Sequence, residues 1–306
     1  MGNRKSFVTM VLVVTLIFAG VVSARAAEAP QLLWPEGAPG ALGDADEDTP
    51  TVTFMPAPKA NNTGAALIIC PGGGYYNIMM DYEGQEMGEW ANSIGVTGVV
   101  LKYRLTKHGY HHPAWLQDAQ RAISYVRSKA EEYGIDPNRI GIGGFSAGGH
   151  LASTCGVHYD RRSYEAVDAI DKVSCKPNYM ILVYPGITSS RWSEDYRKRV
   201  LGPDAAADLA DYLSTDQHVT SETPPTFLVH GHNDATVSPE QSITFYLACR
   251  EAGVPAELHI YLDGPHGFGM GQLENTKAVT SHSATIGSWP GRCEGWMRTL
   301  KLLEKQ

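Results

Sequence analysis

The five residues Gly144-Phe145-Ser146-Ala147-Gly148 follow the apolar run Ile140-Gly141-Ile142-Gly143 directly and lead into an apolar helical stretch over 147–155. A chain that ends a strand at a serine and begins a helix on the next residue holds that serine in a strained backbone. Small neighbours are then needed so that the hydroxyl is pushed outward without a clash. Ser146 therefore reads as a nucleophile at a strand-to-helix elbow. The pattern on either side fits. Apolar, β-rich runs recur at 65–70, 96–103, 139–145, 179–184, 226–230 and 257–262, and segments of helical periodicity lie at 83–94, 113–133, 147–158, 239–252 and 290–303. Strands such as Ala66-Leu67-Ile68-Ile69 and Met180-Ile181-Leu182-Val183 are apolar on both faces. Alternation of this kind predicts an α/β chain with a mostly parallel central sheet and helices on both faces.

Arg4 and Lys5 precede an apolar segment over 7–22, and Ala24-Arg25-Ala26 has the small-x-small form of a cleavage site. Residues 1–26 read as a signal peptide cleaved near Ala26, which implies a secreted or periplasmic protein with no membrane attachment after removal. The expected mature part, 27–306, is of a size ordinary for a single α/β domain. The formal net charge is −8, and loss of Arg4, Lys5 and Arg25 takes it to −11. An acidic surface without basic clusters disfavours nucleic acid and anionic lipid as partners. Oligomeric state is not readable from the sequence. The five cysteines, Cys70, Cys155, Cys175, Cys249 and Cys293, are odd in number, so at least one is unpaired. Pairing of Cys155 with Cys175, or of Cys249 with Cys293, stays open.

The mature N-terminal part is rich in Pro, Gly and acids and carries an expected edge strand at 51–55, with a solvated acidic loop at Asp44-Ala45-Asp46-Glu47-Asp48. The connection over 186–225 is too long for an ordinary loop. It predicts one or two short helices over the C-terminal edge of the sheet, a small lid insertion.

A serine hydroxyl needs an imidazole to take its proton and a carboxylate to orient that imidazole. Both belong on loops after later strands, in the order serine, acid, histidine. Asp234 follows the strand at 226–230 in His230-Gly231-His232-Asn233-Asp234, and His266 follows the strand at 257–262 in Gly264-Pro265-His266-Gly267-Phe268-Gly269. His150, His259 and His282 are the rival histidines, and Asp263 is the rival acid. His150 lies one helical turn past Ser146, where it caps or packs. Asp263 lies too close to the histidine loop to sit opposite it. Backbone donors for the oxyanion are expected from Gly73 and Gly74 in Pro71-Gly72-Gly73-Gly74-Tyr75, together with the amide of Ala147. Tyr75 and Tyr76 follow that loop toward the pocket mouth, as candidates for contact with a sugar or acyl group and equally for core packing. His230-x-His232-x-Asp234 resembles half of a dinuclear zinc site, but the next position is Ala235 rather than histidine, so no metal site is assigned.

These pieces resemble the secreted bacterial α/β-hydrolase esterases of the acetyl xylan esterase type, with hormone-sensitive-lipase-like and feruloyl esterase relatives. Carrying the resemblance are Pro71-Gly72-Gly73-Gly74-Tyr75, Leu101-Lys102-Tyr103-Arg104-Leu105, Leu116-Gln117-Asp118-Ala119-Gln120-Arg121-Ala122, Gly144-Phe145-Ser146-Ala147-Gly148-Gly149-His150, Thr223-Pro224-Pro225-Thr226-Phe227-Leu228-Val229-His230 and the histidine loop. It implies the α/β-hydrolase fold, with Ser146, Asp234 and His266 as the catalytic triad. It also implies hydrolysis of acetyl or other short acyl esters on an acetylated polysaccharide or oligosaccharide such as xylan, without a cofactor. The chain departs from lipase-like relatives in beginning its oxyanion loop with Pro71 where they carry histidine. A general short-chain carboxylesterase or a serine peptidase on the same fold is the alternative reading.

Overall fold

The computed structural model describes residues 27–271 and 285–305. The expected signal peptide, 1–26, lies outside the described residues, as does His282. Among the described residues no helix is long and apolar enough to cross a membrane. In chain order the elements are β1 Gln31–Leu32, β2 Thr51–Met55, β3 Ala66–Cys70, α1 Glu86–Ser93, β4 Thr97–Lys102, α2 Ala114–Ser128, α3 Ala130–Tyr133 and β5 Ile140–Phe145. There follow α4 Ala147–Val157, β6 Met180–Val183, α5 Glu194–Leu201, α6 Leu209–Tyr212, β7 Thr226–Gly231, α7 Glu240–Glu251, β8 Ala256–Tyr261 and α8 Trp289–Thr299.

The strands form one sheet in the order β1-β2-β4-β3-β5-β6-β7-β8. From β4 to β8 every pairing is parallel, while β1 and β2 run antiparallel to their neighbours. The expectation of an edge strand at 51–55 is corrected. The two-residue β1 pairs outside β2, leaving only a short outer edge of the kind that resists intermolecular pairing.

Side chains alternate across a strand, so a strand apolar on both faces feeds two cores. Ala66, Ile68 and Cys70 of β3 pack with Leu116 and Ala119 of α2, Leu151 and Ala152 of α4, and Phe245 of α7. Leu67 and Ile69 belong to the opposite core, with Met87 and Ala91 of α1 and Trp289, Trp296 and Met297 of α8. All five cysteines are buried and free, so neither pairing left open by the sequence forms.

Order along the sheet also decides where a ligand can sit. After β3 the chain steps outward to β4, and from β5 it proceeds the other way through β6, β7 and β8. A crevice therefore opens beyond the carboxyl ends of β3 and β5, the topological switch point at which ligands bind in open α/β sheets. The loop with Gly72, Gly73 and Gly74 leaves one of these strands, and Ser146 ends the other.

Candidate active site

Ser146 has φ 52° and ψ −116° and stands immediately before the first residue of α4. Its amide donates to Val183 O at 2.9 Å and its carbonyl accepts from His150 N at 3.0 Å, so the turn is held from both sides. With the backbone pinned, Oγ projects toward the histidine loop and lies 2.9 Å from His266 Nε2. On the far side of that ring Nδ1 lies 2.7 Å from Asp234 Oδ2. A carboxylate can only accept, so Nδ1 carries the proton and donates to Asp234, leaving the Nε2 lone pair for the serine hydroxyl.

The loops bearing Asp234 and His266 reach each other because the ends of β7 and β8 approach unusually closely. A Cβ at Gly231 would fall 1.6 Å from Gly264 O, so only glycine fits there. Gly264 N donates to Asn233 Oδ1 at 2.7 Å and His232 N to Tyr261 O at 2.7 Å, which stitches the two loops together. Asp234 is itself fixed by the amides of Thr236 and Val237, which donate to Oδ1 at 2.9 Å and 2.8 Å. Burial alone would raise its carboxyl, but the contacts with His230 and His266 and the Val237 amide outweigh it and hold the group well below the usual carboxylate range. Asp234 therefore stays ionised wherever His266 works as a base.

The residues whose amides are expected to meet an oxyanion border the same cavity as that hydroxyl. Gly73 has φ 128° and Gly74 φ 65°, and Tyr75 continues the left-handed run at φ 58°. Successive amides in such a turn line a concave, anion-accepting surface. A Cβ at Gly73 would meet Asn77 O at 2.2 Å, so glycine is obligatory for both conformation and space. Among the described residues the amides of Gly73, Gly74 and Ala147 donate to no protein acceptor. Ala147 also opens α4, where the helix dipole favours negative charge.

Ser146, Ala147, Gly73, Gly74 and His266 line one cavity of about 500 Å³. Its outer wall comes from the long connection after β6, through Arg191, Trp192, Tyr196 and Arg199, the last three in or just before α5. The expected short helices over the sheet edge are thus α5 and α6, and α5 borders the site. Trp192 Nε1 and Tyr196 OH are buried without a hydrogen-bond partner among the described residues.

The expectations for Tyr75 and Tyr76 divide. Tyr75 does not face the cavity and is corrected to a core residue. It is fully buried, its OH donates to His150 Nδ1 at 2.8 Å, and its ring packs on Trp115 with centroids 4.6 Å apart. A left-handed φ turns its side chain back under the glycine loop. Tyr76 is exposed and lies under Arg199, at 5.4 Å from ring centroid to guanidinium carbon, beside the cavity rather than in its wall. Of the rivals, His150 is buried in packing, with Nε2–H donating to Leu213 O at 2.9 Å, and His259 pairs with Glu257 at 2.8 Å. Asp263 accepts from Asn233 Nδ2 at 3.0 Å.

Sequence reasoning missed Glu83 and Tyr184. Glu83 lies in a π-helical turn over Met80–Gln85, is 2% exposed and lines the cavity. Glu83 is one of three acids in the stretch 81–86, with Asp81 and Glu86, so nothing local singles it out.

Comparison with known proteins places this geometry in a family. The BD-FAE family model matches residues 53–248. An acetylxylan esterase from Xylanibacter ruminicola is 34% identical over 229 residues, covering 72% of this chain and 44% of the relative. An endo-1,4-beta-xylanase B from Butyrivibrio fibrisolvens is 31% identical over 205 residues, covering 66% of this chain and 32% of the relative. The chain therefore spans less than half the length of either of these curated relatives. Among solved structures, an acetyl ester-xyloside bifunctional hydrolase from Caldicellulosiruptor lactoaceticus superposes with a TM-score of 0.79 at 36% identity, covering 90% of this chain and 97% of that one. The carboxylesterase Cest-2923 from Lactobacillus plantarum shares the fold, with a TM-score of 0.75 at 21% identity over 91% of this chain and 100% of that one. With the model match spanning well over half of its length, the chain belongs to the BD-FAE family and has the α/β-hydrolase fold.

Proposed function

We propose that the chain is a serine carboxylesterase that removes acetyl or other short acyl groups from a polysaccharide such as xylan through an acyl-enzyme intermediate. The observation that carries this reading is the continuous relay from Ser146 Oγ through His266 to Asp234, at 2.9 Å and 2.7 Å, beside free backbone amides in one cavity. In the reaction His266 Nε2 takes the Ser146 proton as Oγ attacks the ester carbonyl, and the amides of Gly73, Gly74 and Ala147 bind the oxyanion. The tetrahedral adduct collapses, the sugar oxygen leaves with the proton from Nε2, and acyl-Ser146 remains. Water, deprotonated by the same nitrogen, then attacks the acyl carbon and releases the carboxylic acid and free Ser146. The names of the esterase relatives support the choice of an acylated xylan as substrate.

Xyloside cleavage, part of the name of the bifunctional relative, is not included. A glycosidase needs two free carboxyl groups flanking the bond. Of the two acids that line this cavity among the described residues, Glu83 is committed to Gly72 N and Tyr184 OH, which leaves Asp195 without a free carboxyl as partner. The test is acetate release from acetylated xylan by the wild type and by Ser146→Ala. The variant is expected to lose at least about a thousandfold in kcat, with an unchanged unfolding temperature. Comparable turnover by both proteins would remove Ser146 from the nucleophile role. Turnover of aryl acetates without release from xylan would move the substrate to small esters.

A further inference from the structure

Glu83 is a buried carboxylate for which the triad chemistry has no use. Its Oε2 accepts from Gly72 N at 2.7 Å and its Oε1 accepts from Tyr184 OH at 2.8 Å. Tyr184 OH in turn accepts from Gly269 N at 3.0 Å, and its ring stands edge-on to His266 at 4.9 Å and to Phe268 at 4.5 Å. One carboxylate thus ties the glycine loop that begins at Pro71 to the loop that carries His266, through a single tyrosine held at φ 38°. A Cβ at Gly72 would fall 2.6 Å from Glu83 Oε2 and 3.2 Å from Ser146 Cβ, so the tie lies directly behind the serine. Occupied by Glu83, the Gly72 amide is no oxyanion donor, which leaves that task to Gly73 and Gly74.

Burial raises the Glu83 carboxyl above its usual range, and the bonds from Tyr184 and Gly72 and the nearby His266 offset only part of that rise. The titratable groups that face it are Tyr82 on its own segment, Tyr103 after β4, Tyr184 after β6 and His266 after β8. Among the described residues no lysine or arginine pairs with it. Among the described residues, the cation that can form within its reach is the His266 imidazolium.

We propose that Glu83 is a positioning residue of the hydrolase. Its two oxygens set the distance between the oxyanion loop and the histidine loop, and its charge favours the imidazolium that forms when Ser146 is deprotonated. This rests on the acyl-transfer reading of Ser146, Asp234 and His266. Loops held in this way keep the hydroxyl, the imidazole and the oxyanion donors in register, and a misplacement of about 1 Å can cost two orders of magnitude in rate.

The test uses p-nitrophenyl acetate and three variants. Glu83→Gln preserves shape but removes the charge and offers Gly72 N–H or Tyr184 OH a donor in place of an acceptor. It is expected to lower kcat by about 10- to 100-fold with KM changed by less than about threefold. The acid limb of kcat/KM should move to lower pH by about half a unit, because an imidazolium without its neighbouring anion deprotonates more readily. Tyr184→Phe cuts the bridge to Gly269 and keeps the charge, so kcat falls while the acid limb stays in place. Glu83→Asp keeps the charge on a stem too short for both contacts and should behave like Tyr184→Phe. Wild-type kcat and an unmoved acid limb in Glu83→Gln would overturn the proposal. If Glu83→Gln does not fold, wild-type kcat in Tyr184→Phe overturns it instead. Residual turnover in Ser146→Ala would mark failure of the underlying reading, a different result from an active Glu83→Gln beside an inactive Ser146→Ala.

Discussion

Two aspartates leave the neighbouring strand ends beside the candidate imidazole, one 32 residues before it and one three, and their surroundings separate them. Asp234 leaves β7 and meets His266 Nδ1 across the junction of two strand ends, with both of its oxygens engaged. Asp263 leaves β8 three residues before His266, and its oxygen accepts from Asn233 Nδ2. Asp234→Asn is expected to lower kcat by about four orders of magnitude, because an amide that donates to Nδ1 traps the wrong tautomer. Asp263→Asn should leave kcat within about twofold, since the asparagine oxygen still accepts from Asn233. A steady-state assay of the two variants side by side decides between the acids, and equal losses would sink the assignment to Asp234. This choice was open to sequence reasoning because it turns on which strand end faces which. Tyr75 was not open to it. Nothing in Gly74-Tyr75-Tyr76 tells which tyrosine turns inward, and the answer comes from a left-handed φ and from His150, 75 residues away.

At the level of elements, two motifs that marked the family resemblance prove to be one structural joint. Asp118 of α2 receives Arg104 Nε, Nη2 and backbone N after β4, at distances from 2.9 to 3.2 Å, and Trp34 Nε1 at 3.0 Å. Both side chains of the ion pair are fully buried. Three residues along, Arg121 reaches Asp168 and Asp171, which anchors the segment before β6 to the same helix. Asp118→Ala would leave the Arg104 guanidinium buried without its counterion and should cost about 3–5 kcal/mol. Chemical denaturation measures this, and a loss below about 1 kcal/mol would show that the joint contributes little. The residues of this joint were visible in the sequence as a spacing, and their partnership was not, because it joins a strand end to a helix. The strands themselves were legible from their two-faced apolar character. α5 was legible only as length, since its charged sequence carries just a short apolar stripe, Tyr196 and Val200, too brief to reveal which side meets the cavity. The π-helical turn that aims Glu83 inward left still less trace, because one residue inserted into helical spacing barely disturbs the apolar pattern.

For the whole molecule, the buried titratable groups govern how the fold responds to acid. His150 is fully buried between the glycine loop and the connection after β6. Burial, together with His112 and His158 nearby, lowers it to about 4 despite its bond to Leu213 O. His112 is lowered to about 4 by burial and by His158, and His158 is lowered by burial and by nearby His218 despite its bond to Tyr212 O. An unfolded histidine titrates near pH 6.5, so between about pH 6.5 and 4 the unfolded chain binds protons that the folded chain refuses. Stability therefore falls as pH falls through that window, by up to about 1.4 kcal/mol per pH unit for each such group. Asp234 acts lower down. Its depressed carboxyl stays ionised in the fold while the unfolded side chain protonates below about pH 4, so its contribution is lost there as well. Glu83, raised by burial, has the opposite sign and loses stability as pH rises through its own window, which keeps the acid slope shallower than the histidines alone would set. His150→Gln retains an oxygen to accept from Tyr75 and an amide to donate to Leu213, yet cannot titrate. It should be less stable at pH 7, from lost packing against Trp115 and Trp192, and should show a slope between pH 6.5 and 4 reduced by about a third. Denaturant titrations across that range in both proteins provide the comparison. Parallel slopes would mean that His150 takes up its proton without unfolding, and that the buried histidines do not set the acid limit of this fold.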